Sequence, residues 1–95
     1  MDISEIAGRM QQGLTRQPID GSLKFDCGED GVIVLVDDTV SHADRDTDCT
    51  IRITQSNLAK LVTGKLNPMT GVVMGKLKVS GDTRVALKLG ELLKS

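Results

Sequence analysis

The spacing of hydrophobic positions changes several times along the chain, and each change marks an element. Ile3, Ile6, Ala7, Met10 and Leu14 recur at i, i+3, i+4, i+7 and i+11, which predicts one apolar face on a helix over residues 2–13. Asp2 with Glu5 three positions on is a capping-box pattern, and Gly13 is the expected stop. Arg9, Gln11 and Gln12 then fall on the wet side. Pro18 and the Asp20-Gly21 pair mark a loop. Beyond it the period drops to two. SLKFDC (22–27) alternates Leu23, Phe25 and Cys27 against Ser22, Lys24 and Asp26, the pattern of a half-buried strand. GEDG (28–31) is a turn, and GVIVLVDD (31–38) is almost continuously apolar and β-branched, as expected of a central strand covered on both faces. Residues 39–42 make a short third strand before the polar loop ADRDTD (43–48).

CTIRIT (49–54) alternates again, with Cys49, Ile51 and Ile53 on one side. From Gln55 to Thr63 the period returns to helical, placing Leu58, Leu61 and Val62 together, with Thr54 or Ser56 as the cap and Gly64 at the end. Asn67-Pro68 opens another helix, whose apolar side is Met69, Val72 and Val73. GKLKVSG (75–81) is a strand with Leu77 and Val79 on one face. Asp82 caps a closing helix over 83–94, carrying Val85, Ala86, Leu89, Leu92 and Leu93, with Leu87 widening the stripe. Strands cluster early and helices late. That order predicts an α+β fold, one sheet covered mainly on one face by helices.

Composition narrows the function more than the fold. Ninety-five residues make one domain, and 39% hydrophobic with 26% charged residues is ordinary for a globular chain. Phe25 is the single aromatic, so the core is aliphatic, and four Met add deformability. A net charge of −1 leaves no basic stripe for phosphates, and the missing aromatics remove the platforms on which unpaired bases stack. Nucleic acid is therefore not an expected partner. No apolar run reaches the length of a membrane span, and the N-terminus lacks a signal-peptide pattern. Cys27 and Cys49 have no metal-ligand spacing and are expected as buried, reduced strand thiols.

The candidate chemistry is sparse. Asp44, Asp46 and Asp48 have the alternating acids that open a calcium loop, but Cys49 stands where the turn glycine belongs and Gln55 where the closing acid belongs. A solvated turn is the better reading. Gly71 to Lys76 is superficially similar to a phosphate-binding loop, with one residue too few between the glycines and a helix leading into a strand instead of the reverse. His42 is the only histidine, so no Ser/His/Asp or Cys/His/Asp set can be assembled. Lys65, Lys76, Lys78 and Arg84 are candidates to meet an anionic head group, against the plainer reading of solvated surface cations. No catalytic residue, metal or cofactor is expected. Residues 61–82 hold four glycines and no reactive group before Asp82, so their shape is the more informative property.

The run LAKLVTGKLNPMTGVVMGKLKVSGDTRVALKL (58–89) resembles the sterol carrier protein type 2 domain. The likeness rests on Thr63-Gly64-Lys65-Leu66-Asn67-Pro68, on Gly75-Lys76-Leu77-Lys78-Val79-Ser80-Gly81-Asp82, and on the strand entry Asp48-Cys49-Thr50-Ile51, and the element order agrees from residue 2 onward. The resemblance implies a five-stranded mixed, mainly antiparallel sheet with helices over one face, enclosing an apolar tunnel over a single domain, residues 1–95. It implies non-catalytic binding of fatty acids, acyl-CoA thioesters or sterol-like lipids. Its alternative is an accessory subunit that presents a hydrophobic intermediate, such as a quinone precursor, to partner enzymes. Tunnel walls are then expected from Leu58, Leu61, Val62 and Leu66, from Met69, Val72, Val73 and Met74, from Leu77 and Val79, and from Leu89, Leu92 and Leu93. Members of the family often carry phenylalanine where this chain has Leu58, Val72 and Val73, which implies an aliphatic and wider cavity. Leu93-Lys94-Ser95 is not the S-K-L peroxisomal address, and a cytoplasmic setting is expected.

Overall fold

The structure, a computed structural model, describes residues 2–87. Asp2 caps the first helix, α1 (Ile3–Arg16), its carboxylate accepting from the Glu5 backbone N–H. The expected stop at Gly13 is passed, and α1 ends at Arg16. Burying Leu14 completely outweighs the roughly 1 kcal/mol that a mid-helix glycine costs. Four strands follow in pairs, β1 (Ser22–Asp26), β2 (Val32–Val36), β3 (Thr39–Ser41) and β4 (Cys49–Ile53), with a 3-10 turn over Gly28–Asp30. Asp37 and Asp38 leave the second strand to form the β2–β3 turn, with Asp37 at φ 54°, a conformation hairpin turns need and aspartate tolerates. Helices α2 (Gln55–Val62) and α3 (Pro68–Val73) then lead into β5 (Leu77–Gly81). Residues 83–87 are helical, and the Asp82 carboxylate accepts from the Arg84 backbone N–H as a cap. The remainder of the expected closing helix, with Leu89, Leu92 and Leu93, lies outside the described residues.

The strands form one five-stranded sheet in the order β3-β2-β1-β4-β5. β1 and β4 run parallel, and the other pairs are antiparallel. Register decides what meets in the core. Phe25 pairs with Ile33 and Ile51, Leu23 with Leu35 and Cys49, Ile51 with Val79, and Ile53 with Leu77. All of these point to one face, where Ile6, Met10 and Leu14 of α1 and Leu58 and Leu61 of α2 close over them. Phe25 sits fully buried at the centre, and every buried residue among those described is apolar or a cysteine. Of the methionines, Met10 is in this core, whereas Met69 and Met74 are exposed.

The opposite face carries Lys24, Asp26, Arg52 and Lys78, yet Val34 on that face is 1% exposed. β3 lies beyond β2 while β4 lies on the far side of β1, so residues 42–48 must cross the sheet. Lys24 Nζ meets Asp44 Oδ1 at 2.7 Å along that crossing. β2, expected at the centre, is second in the order with β1 in the middle, although its Val34 is buried on the face away from the helices.

One polar expectation is corrected, and an exposed loop residue proves to be tied down. Gln11, expected on the wet side, bridges α1 to the β2–β3 hairpin: its Nε2 donates to Asp38 O at 2.6 Å and its Oε1 accepts from Val40 N at 3.0 Å. A side-chain amide matches an exposed strand edge because it supplies both donor and acceptor. Asp48, read as part of a solvated turn, ties two strand starts together. Its Oδ2 accepts from Ser22 N at 3.0 Å and from Ser22 Oγ at 3.2 Å, and its own N–H donates back to Ser22 Oγ at 2.8 Å. Its carbonyl accepts from Asp82 N, and the chain passes so close that a Cβ on Gly81 would collide with that oxygen.

Candidate functional site

The arrangement of α2, α3 and β5 is set by two helix ends of the same design. Thr54 Oγ1 caps α2, accepting from Asn57 N at 3.2 Å. At its other end Gly64 N–H donates to Leu61 O and Lys65 N–H to Lys60 O. At the end of α3, Gly75 N–H donates to Val72 O and Lys76 N–H to Gly71 O. Both glycines are left-handed, at φ 79° and 72°, as this double-bonded stop requires. Each stop turns the chain sharply, so α3 doubles back onto β5.

How α3 sits there differs from what its apolar count suggests. Asn67 Oδ1 accepts from Met69 N at 2.9 Å and Pro68 occupies the first turn, as expected. The only buried residue of the helix, however, is Gly71. A Cβ there would lie 2.9 Å from Leu77 Cδ2 and 3.6 Å from Leu66 Cδ2, so the helix backbone rests directly on those two leucines. At about 100° per residue, Met69 and Val73 fall opposite Gly71. They are 68% and 84% exposed, and Val72 and Met74 are 49% and 62% exposed.

The structure therefore divides the expected wall residues. Leu58, Leu61, Leu66 and Leu77 are buried together, with Val62 and Val79 half-buried against them. Met69, Val72, Val73 and Met74 stand outside that group. Leu89, Leu92 and Leu93 are beyond the described residues. Three contributors were passed over by counting apolar positions along one element. Gly71 was invisible because it has no side chain. Ile51 and Ile53 belong to the same bed through their pairing with Val79 and Leu77, a register that no local pattern states.

No reactive machinery faces this bed among the described residues. Burial, reinforced by the Asp30 and Asp26 charges, pushes the Cys27 thiol up to about 11. Burial also raises Cys49, against a backbone hydrogen bond from Ala86. Neither is a thiolate at neutral pH. His42 is exposed, its Nδ1 3.3 Å from Val32 O. Arg84 is held on Asp82 through Nε and Nη2 at 3.1 and 3.0 Å, which raises its pKa and leaves it engaged within the protein. Within the described residues no three His, Cys, Asp or Glu side chains converge as a metal site. An aliphatic bed under a helix that contributes only a glycine suits apolar matter.

Comparison with known proteins agrees with this geometry. The profile of the SCP-2 sterol transfer family matches residues 3–94. The chain is 45% identical over 51 residues to sterol carrier protein 2 of Bos taurus, a stretch that is 54% of this chain and 9% of that protein. The fold is similar to the solution structure of palmitated SCP2L2 from Aedes aegypti, with a TM-score of 0.80 at 20% identity, covering 100% of this chain and 96% of that one. It is also similar to UbiJ-SCP2, a ubiquinone synthesis protein, with a TM-score of 0.67 at 20% identity over 96% of this chain and 88% of that one. Sequence profile and sheet topology converge: the chain belongs to the SCP-2 sterol transfer family.

Proposed function

We propose that residues 1–95 act as one non-catalytic domain that binds a fatty acid, acyl-CoA or sterol-like lipid in an apolar tunnel and transfers it. The observation that carries this reading is the seating of α3. Because the helix meets Leu66 and Leu77 through Gly71, it can lift from them without extracting a large side chain from the core. Leu58, Leu61, Val62, Leu66, Leu77 and Val79 then become walls, with Met69, Val72, Val73 and Met74 at the mouth. An acyl chain laid on that bed gains roughly 0.8 kcal/mol per methylene removed from water. Family membership and the palmitate held by an Aedes aegypti relative support the ligand class.

The test is thermal unfolding with palmitate, palmitoyl-CoA and a sterol, together with native mass spectrometry of the gently purified protein. Ligand at 100 times its Kd adds about 2.7 kcal/mol, which raises Tm by roughly 10 °C or more in a domain of this size. No shift with any of the three, and no copurified lipid, overturns the reading. The likeness to a ubiquinone synthesis protein favours one second reading, an accessory subunit presenting a quinone precursor to partner enzymes. Loss of the copurified ligand only in the presence of such an enzyme would distinguish it from free transfer.

A further inference from the structure

The sheet has two edges, and the chain treats them differently. In an antiparallel ladder each residue turns both backbone groups toward its neighbour or both away, in alternation. On β3, Val40 turns outward, and Gln11 of α1 takes that row, its Oε1 accepting from Val40 N and its Nε2 donating to Asp38 O. On β5 the phase follows from Asp82, whose N–H donates to Asp48 O one step past the Gly81 and Cys49 pair. Lys78 and Ser80 therefore turn toward β4, whereas Leu77, Val79 and Gly81 turn outward. Among the described residues no group meets that outer row at Val79 or Gly81. Leu77 is 4% exposed against α3, but Val79 is half-buried and Ser80 and Gly81 are exposed. The open edge is thus residues 79–81. The charge beside it has one sign. Lys78 and its pair Arg52 are exposed on the face away from the helices, and residues 49–81 hold five Lys and Arg and no Asp or Glu.

We propose that an extended, acidic segment of a partner protein adds to the sheet along this edge of β5, its backbone on Val79 and Gly81 and its carboxylates at Lys78. The occupant is a polypeptide because an open strand edge presents donors and acceptors together, and another extended backbone matches both at strand spacing. Side chains of the added strand alternate between faces. Those beside Lys78 and Ser80 are acidic, and those beside Val79 are apolar. A second copy of β5 fits less well. It would bring its own Lys76 and Lys78 to the same edge, and the adjoining acid, Asp82, is already held by Arg84. The proposal goes beyond the carrier reading and does not depend on it.

The test is NMR titration of the full chain with the peptide Glu-Val-Glu-Val-Glu-Val-Glu up to millimolar concentration. The expected result is saturable shifts and slowed hydrogen exchange at the Val79 and Gly81 amides. The same peptide N-methylated throughout keeps its side chains, loses its donors and should not bind. Lys-Val-Lys-Val-Lys-Val-Lys should bind more weakly than the acidic peptide by about fivefold or more. Lys78→Glu, at an exposed position, should weaken the acidic peptide roughly fivefold and strengthen the basic one. No binding of the acidic peptide overturns the proposal, as does equal binding of the N-methylated or the lysine peptide. Shifts confined to residues away from β5 overturn it too. So does a concentration-dependent dimer that protects the Val79 amide without peptide, which would assign the edge to a second copy of the chain.

Discussion

α1 and α3 carry the same kind of apolar pattern and put it in opposite places. α1 has 14 residues and turns Ile6, Ala7, Met10 and Leu14 into the core, with Gln11 stitched to the neighbouring hairpin. α3 has six residues and turns Gly71 inward, leaving Met69 and Val73 in water. Apolar periodicity establishes that a helix has a face. It does not establish which way the face looks when a glycine on the opposite side lets the backbone itself pack. One helix is therefore an anchor, and the other is a cover.

The comparison breaks first, and most visibly, at Leu14. Leu14→Ala removes a fully buried side chain and should cost about 3 kcal/mol, lowering Tm by more than 10 °C. A loss under about 1 kcal/mol in urea unfolding would mean that α1 is not the anchor. Next comes Gly71→Leu, which forces α3 off Leu77 and Leu66 and should cost about 2 kcal/mol. Hydrogen exchange at the Gly75 and Lys76 amides should quicken with it, and unchanged exchange would show that α3 is not seated through Gly71. The smallest effect is expected at Val73. Val73→Ala should move stability by no more than about 0.5 kcal/mol, and a larger loss would place that side chain in the core.

Much of the fold was legible because it is written locally. The period-2 runs around Phe25 and Ile51 became β1 and β4, and the Asn67-Pro68 start of α3 formed with the expected cap. The misses share a physical cause. Gly13 was overridden because Leu14 gains more from burial than glycine loses. Gln11 was read as solvent-facing because its partners, Asp38 and Val40, are distant along the chain, and for the same reason the Ser22 bonds of the exposed Asp48 were not foreseen. The bed itself was half legible: Leu58, Leu61 and Leu77 came from helical and strand spacing and Leu66 from the family likeness, whereas Ile51 and Ile53 joined it only through register.

By itself, the sequence determined most of the elements, the aliphatic core and the family likeness. These follow from residue identity and short-range spacing, which act through backbone geometry and burial tendency. Tertiary structure alone decided the direction in which α3 shows its apolar side, the parallel joining of β1 to β4, and the passage of residues 42–48 from one side of the sheet to the other. Each depends on which distant segment arrives at a given surface. At Gly71 the deciding quantity is the space that Leu77 leaves, where an added Cβ would lie only 2.9 Å from Leu77 Cδ2, and no pattern along the chain contains it.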